Sequence, residues 1–214
     1  MVRLSTEEVV AIARQVVFPR VFADVDELVI PVHRVREVVR EFLGRDYVDE
    51  RVVLYRRLYA ALGVVLFAMG YKLAAVETEK SSSAPAKYVA LYFSRCRSES
   101  ICCEDYVCYA MKLCEFIVEH MASPSKLSIN IKHPEEGIRF TLQDFAEWMR
   151  QKCGNKTLSI TSPQLAELAR IIGEVLGYDI EIRPCKGTRS NMWIVVKKRS
   201  KEKHVLDRDE IEPD

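Results

Sequence analysis

The chain has 214 residues, 49% of them hydrophobic, and its 32 Lys and Arg against 31 Asp and Glu leave a formal charge of +1. That length can bury one large core or two small ones without help from metals or disulfides. The near-zero charge excludes a whole-molecule field that would draw the chain to nucleic acid or to a membrane, so any charge argument must be local. The longest uncharged run, Leu58 to Tyr71, is shorter than the roughly 20 apolar residues that cross a bilayer. Met1 to Glu8 holds no apolar signal-peptide core, so a cytoplasmic location and no membrane partner are expected. Asn and Gln are scarce beside the charged residues, a bias that points to a hot-adapted host, a thermophilic archaeon or its virus.

Taken in chain order, Ser5 with Glu8 three residues on has the form of a capping box and predicts a helix from Ser5 to Val17. Val35, Val38, Val39 and Phe42 recur at helical spacing in a second helix that begins near Val32 and closes on Gly44. A longer helix from Val52 to Met69 ends in Gly70-Tyr71. Two strands follow, Lys72 to Glu77 and Lys87 to Phe93, around a polar loop through Ser81 to Pro85. The pattern then starts again. Glu104 to Met121 reads as a helix, and Leu142 to Cys153 is another, with Phe145, Trp148 and Met149 on one face and Gly154 at its end. Pro163 to Leu176 is a longer helix followed by Gly177-Tyr178, and a hairpin pairs Asp179 to Arg183 with Asn191 to Lys197 around Lys186-Gly187-Thr188.

Matching Gly70-Tyr71 to Gly177-Tyr178 aligns Leu58 with Leu165, Ala61 with Leu168, Val65 with Ile172 and Met69 with Leu176. The same apolar positions recur, which predicts an internal duplication. The boundary falls near Arg97 to Ser100 and divides the chain into residues 1–98, residues 99–203 and an acidic tail, 204–214. Helix, short strand, helix, longer helix and hairpin is also the order of elements in winged-helix (winged helix-turn-helix) domains. The chain therefore resembles two of them in tandem, an α+β, mostly helical fold. Ser159 to Leu168 with the Gly177-Tyr178 hairpin resembles, more weakly, half of a LAGLIDADG homing endonuclease repeat. Those enzymes place a metal-holding acid beside the glycine that ends the first helix. Phe42-Leu43-Gly44 and Lys152-Cys153-Gly154 lack it, so this resemblance implies at most a degenerate nucleic-acid-binding relative.

Winged-helix proteins often bind DNA through the long helix and the wing, while tandem pairs also act as protein-interaction modules, as in the kleisin-partner subunits of prokaryotic condensin. The second hairpin carries a local basic run with Arg183, Lys186, Arg189, Lys197, Lys198 and Arg199, and Asn191 as a neutral donor. Such a run suits phosphate contact. Arg56 and Arg57 begin the first long helix and are the further candidates for phosphate there. The expectation is a non-enzymatic protein that binds double-stranded DNA, a regulator or a replication or segregation accessory factor. The alternative is an interaction scaffold. Because the first long helix has no charge from Leu58 to Met69, Leu62, Val65, Leu66 and Met69 are expected either in the core or at an interface with a second copy or another protein.

No catalysis, metal, cofactor or small-molecule substrate is expected. The four histidines stand far apart with no nucleophile or carboxylate at motif spacing, and no Gly-rich phosphate loop is present. The seven cysteines contain no Cys-x-x-Cys pair of the zinc type. Cys108 and Cys114 read as small core residues of a helix, whereas a disulfide involving Cys96, Cys102 or Cys103 is compatible with a hot-adapted host.

Overall fold

Ser5 caps the first helix as its sequence requires: its Oγ accepts from Glu8 N at 3.1 Å, and Ser5 N donates to Glu8 Oε2 at 2.6 Å. Thr141 and Asp144 repeat the device at the start of the fifth helix. Glycines in positive-φ conformations follow the second, fifth and sixth helices: Gly44 at 84°, Gly154 at 75° and Gly177 at 73°. A side chain there would be strained, so these residues stop their helices.

The computed structural model describes residues 4–18, 25–44, 52–79, 87–122, 137–154, 158–185 and 192–199. The polar turns of both hairpins and the acidic tail lie outside them. The first half runs α1 (Thr6–Val17), β1 (Glu27–Pro31), α2 (Val32–Leu43), α3 (Val52–Ala68), β2 (Lys72–Glu79) and β3 (Lys87–Ser94). In the second half come α4 (Tyr106–Ala122), β4 (Gly137–Phe140), α5 (Leu142–Cys153), α6 (Ser162–Leu176), β5 (Tyr178–Pro184) and β6 (Met192–Lys198). Among the described residues this is a mostly helical α+β fold with six helices and two antiparallel three-stranded sheets. The strand orders are β1-β3-β2 and β4-β6-β5, so in each half the short first strand pairs with the last. Leu28 and Leu73 both face Phe93 in the first sheet, and Ile138 and Ile180 both face Val196 in the second.

The uncharged stretch of α3 is enclosed by its own chain. α1, α4 and α6 all pack on it, and this is why a helix apolar all round is stable here. Leu62, Val65 and Leu66 are buried, and Met69 packs partly buried against the same core. The alternative of an interface between copies at Leu62, Val65 and Leu66 is thereby corrected: those side chains are already covered within one chain. Gly63 permits the close approach, since a Cβ there would lie 3.1 Å from Met111 Sδ and 3.2 Å from Val107 Cγ2 on α4. In the second half Gly173 lets α6 lie against its hairpin, because a Cβ would sit 2.8 Å from the Tyr178 carbonyl oxygen. The buried apolar residues of both halves form one continuous cluster. Phe116 anchors its far end, with ring centroids 4.9 Å from Phe140, 5.6 Å from Trp148 and 5.7 Å from Phe145.

Between β3 and α4 the chain forms an irregular joint held by charge and by sulfur. Lys112 is buried, with 1% exposed, and its Nζ donates to Glu115 at 2.8 Å and to Glu99 at 3.4 Å. Lys152, from α5, reaches Glu99 at 3.4 Å and Glu119 at 3.5 Å. Disulfides join Cys102 to Cys153, with Cα atoms 5.6 Å apart, and Cys103 to Cys108, 5.8 Å apart. The pairing of Cys108 differs from its expected role as a plain core residue. It stands near the start of α4, where Cys103 of the preceding turn comes within bonding reach.

Burial alone would raise the Glu99 carboxyl, but Lys112 and Lys152 together hold it below its ordinary value. Burial would lower Lys152, but Glu119 and Glu99 raise it above the usual lysine range. Glu99 therefore adds stability above its unfolded-state pKa and loses it as pH falls through the lowered folded-state value. Lys152 adds stability below its unfolded-state pKa and loses it as pH rises through the raised one. Glu99→Gln is expected to make the acid-side decline of the urea midpoint shallower than in the parent chain. An unchanged acid limb would show that these partly exposed pairs are screened out by solvent.

Candidate nucleic-acid interface

Alternation along β5 turns Tyr178, Ile180 and Ile182 partly inward and leaves Asp179, Glu181 and Arg183 exposed. Register then fixes their neighbours: Asp179 faces Lys197, Glu181 faces Val195 and Arg183 faces Trp193 on β6. On the other side of β6, Arg139 of β4 faces Val195. The outer surface of the second sheet thus gathers Arg139, Trp193, Arg183 and Lys197 with Asp179 and Glu181. The Arg139 guanidinium carbon stands 4.5 Å from the Trp193 ring centroid, a cation–π stack.

Acids of the same hairpin engage two of the expected phosphate contacts. Arg183 Nε and Nη2 donate to the two Glu181 carboxylate oxygens at 2.6 and 2.8 Å. That bond holds the Glu181 carboxyl below its ordinary range and raises Arg183. Arg199 Nε donates to Asp179 Oδ1 at 3.2 Å, and its Nη2 is 3.9 Å from Glu174 on α6. Lys198 is exposed and Lys197 half-buried, and neither makes an ion pair among the described residues. Lys186, Arg189 and Asn191 lie outside the described residues.

Arg56 is exposed on α3, but its neighbour Arg57 is not a phosphate contact. Arg57 is buried, with 7% exposed. Its Nη1 donates to the Leu4 carbonyl oxygen at 2.8 Å, and its Nε lies 2.9 Å from Glu167 Oε1 on α6. The Tyr106 hydroxyl lies 3.2 Å from Glu167 Oε2, and burial together with that carboxylate raises the phenol well above its ordinary range. The correction has a plain cause: α3 turns this arginine toward α6 and the start of α1 rather than toward water.

Both long helices are committed to the interior as well. α3 and α6 pack on each other, and Leu165, Leu168 and Ile172 of α6 are buried. Arg170 remains exposed on α6 beside the partly exposed acids Glu167 and Glu174. On the first sheet the Tyr92 hydroxyl donates to Glu77 at 2.7 Å, an acidic counterpart to the Arg139–Trp193 stack of the second. Arg139 and Trp193 are the candidates that residue-by-residue reading missed. The alternation in Gly137-Ile138-Arg139-Phe140 is the signal that could have found the first, though four residues are too few to establish a period. Among the described residues no three His, Cys, Asp or Glu side chains are grouped to hold a metal ion, and no helix is long and apolar enough to cross a membrane. Comparison with protein-family models, with curated proteins and with solved structures finds no match.

Proposed function

We propose that this chain is a non-enzymatic protein of two winged-helix-like units that binds double-stranded DNA through the second hairpin and the outer face of its sheet. The fold reading is supported by the identical order of elements in the two halves and by their equivalent strand orders. The binding reading rests on one observation above all. Lys197, without an ion-pair partner among the described residues, stands at the end of the surface on which Arg139 stacks over Trp193, while Lys198, paired with Tyr178, is exposed on the other face of the same strand.

Because α3 and α6 pack on each other, the contact falls to strands and hairpin rather than to a helix laid in the major groove. Such contact goes to the phosphate backbone and carries little sequence information. A regulator or an accessory factor in replication or segregation would use it to hold duplex DNA. Fluorescence anisotropy with a random-sequence duplex across a salt series tests the reading: affinity falls steeply as salt rises. Lys197→Gln reduces the magnitude of the log–log salt slope by about 1, for the one lost phosphate contact. Absence of binding at low salt sinks the proposal. It would leave an interaction scaffold, whose contact would fall outside the buried faces of both long helices.

A further inference from the structure

The joint between the halves holds a second chemical feature, independent of the basic hairpin. A cavity of about 690 Å³ opens there, lined by Cys96, Arg97, Glu99, Ser100, Cys102 and Lys112 among others. Three described cysteines carry free thiols, and they differ in access: Cys96 is exposed, Cys114 is buried and Cys185 is half-buried. Burial also raises the Cys114 thiol far above its ordinary range, which keeps it inert at neutral pH. Cys96 alone combines exposure with a disulfide on the wall of the same cavity, since Cys102 is bonded to Cys153.

The backbone holds the two cysteines at the ends of one short, anchored loop. Arg95 N donates to the Asp26 carbonyl oxygen at 2.8 Å, and Cys96 N donates to Ser94 Oγ at 3.2 Å. On the far side Ser100 N donates to Glu115 Oε1 at 2.7 Å, and Ile101 N donates to the Leu73 carbonyl oxygen at 2.9 Å. Both ends are pinned to the fold, so the thiol and the disulfide stay on the wall of the same cavity. Such confinement is what raises the effective concentration of an intramolecular nucleophile.

We propose that Cys96 is a thiol–disulfide exchange site directed at the Cys102–Cys153 bridge. The Cys96 thiolate attacks Cys102 Sγ, a Cys96–Cys102 bond forms, and the Cys102–Cys153 bond breaks. Cys153 leaves as a thiolate and takes up a proton equal to the one Cys96 released. One disulfide and one thiol stand on each side of the step, so neither oxidant nor reductant is consumed. The consequence is structural. The bridge that ties the end of α5 to the joint is exchanged for one that closes only the joint loop, and α5 is then held there by the Lys152 pairs with Glu99 and Glu119.

Peptide mapping of the full-length chain, incubated at mildly alkaline pH and trapped by acid before alkylation, tests this directly. A Cys96–Cys102 cross-linked peptide and newly alkylated Cys153 are expected in the parent chain and absent from Cys96→Ser. Cys153 alkylation that proceeds equally in Cys96→Ser overturns the proposal. Cys153→Ser provides the second arm, because its Cys102 has lost the native partner. Mild oxidation should join Cys96 to Cys102 in that variant. Both thiols remaining open to alkylation, or Cys96 bonding to Cys103 instead, overturns it as well.

Discussion

Replacing Arg57 with alanine lowers the unfolding free energy by about 3 kcal/mol, since it breaks a buried ion pair and strands its partner, and it leaves DNA affinity unchanged. The guanidinium is enclosed, with 7% exposed, and joins the Leu4 carbonyl oxygen to Glu167 across three helices. Once it is removed, Glu167 keeps only the Tyr106 hydroxyl at 3.2 Å among its described partners. Urea unfolding measures the loss, and a cycle with Glu167→Gln should return a coupling of about 1–3 kcal/mol, as expected for residues in one network. Anisotropy on the same Arg57 variant separates the two roles this residue could have had. A weaker salt slope with stability intact would restore it as a phosphate contact, and a destabilisation below about 1 kcal/mol would show that the clasp is worth no more than a surface pair.

Why Arg57 misleads from sequence explains much of what could and could not be read. Position within a helix follows from local chemistry: Ser5 with Glu8, Gly44, Gly154 and Gly177 mark helix ends because capping and positive φ are properties of a few adjacent residues. The alignment of Leu58 with Leu165, Ala61 with Leu168 and Val65 with Ile172 picks out pairs that are buried in both helices, because the same apolar spacing recurs in each, while Met69 and Leu176 are only partly buried. What an arginine in the first turns of α3 faces is another matter, since it depends on where α6 lies. Arg139 over Trp193 is likewise set by strand pairing across more than fifty residues. The strands β1 and β4, with five and four residues, are too short to announce a period. Lys112 pairs with Glu115 three residues on along α4, but its burial depends on the joint, which no local spacing announces. The uncharged length of α3 was legible as a buried surface, whereas the identity of its cover was not, because α4 and α6, which share the cover with α1, come from the other half of the chain.

The two disulfides supply a comparison within one scaffold. The Cys102–Cys153 bond closes a sequence separation of 51 residues, and Cys103–Cys108 closes one of 5. In the chain-entropy account, a cross-link stabilises by restricting the unfolded chain, and the effect grows with the logarithm of the loop it closes. On that basis the long bridge contributes about 4 kcal/mol and the short one about 2 kcal/mol. Cys102→Ser with Cys153→Ser, which leaves Cys96 no sulfur of that bridge to attack, should lower Tm by roughly 10 °C for a chain of this size. Cys103→Ser with Cys108→Ser should lower it by about half as much. Calorimetry on both variants, with fully reduced parent chain as the reference, checks the ranking. Equal losses, or a larger loss from the short loop, would mean that native packing around the sulfurs outweighs loop closure. In that case the long bridge could be exchanged at the joint with little change in the stability of α5.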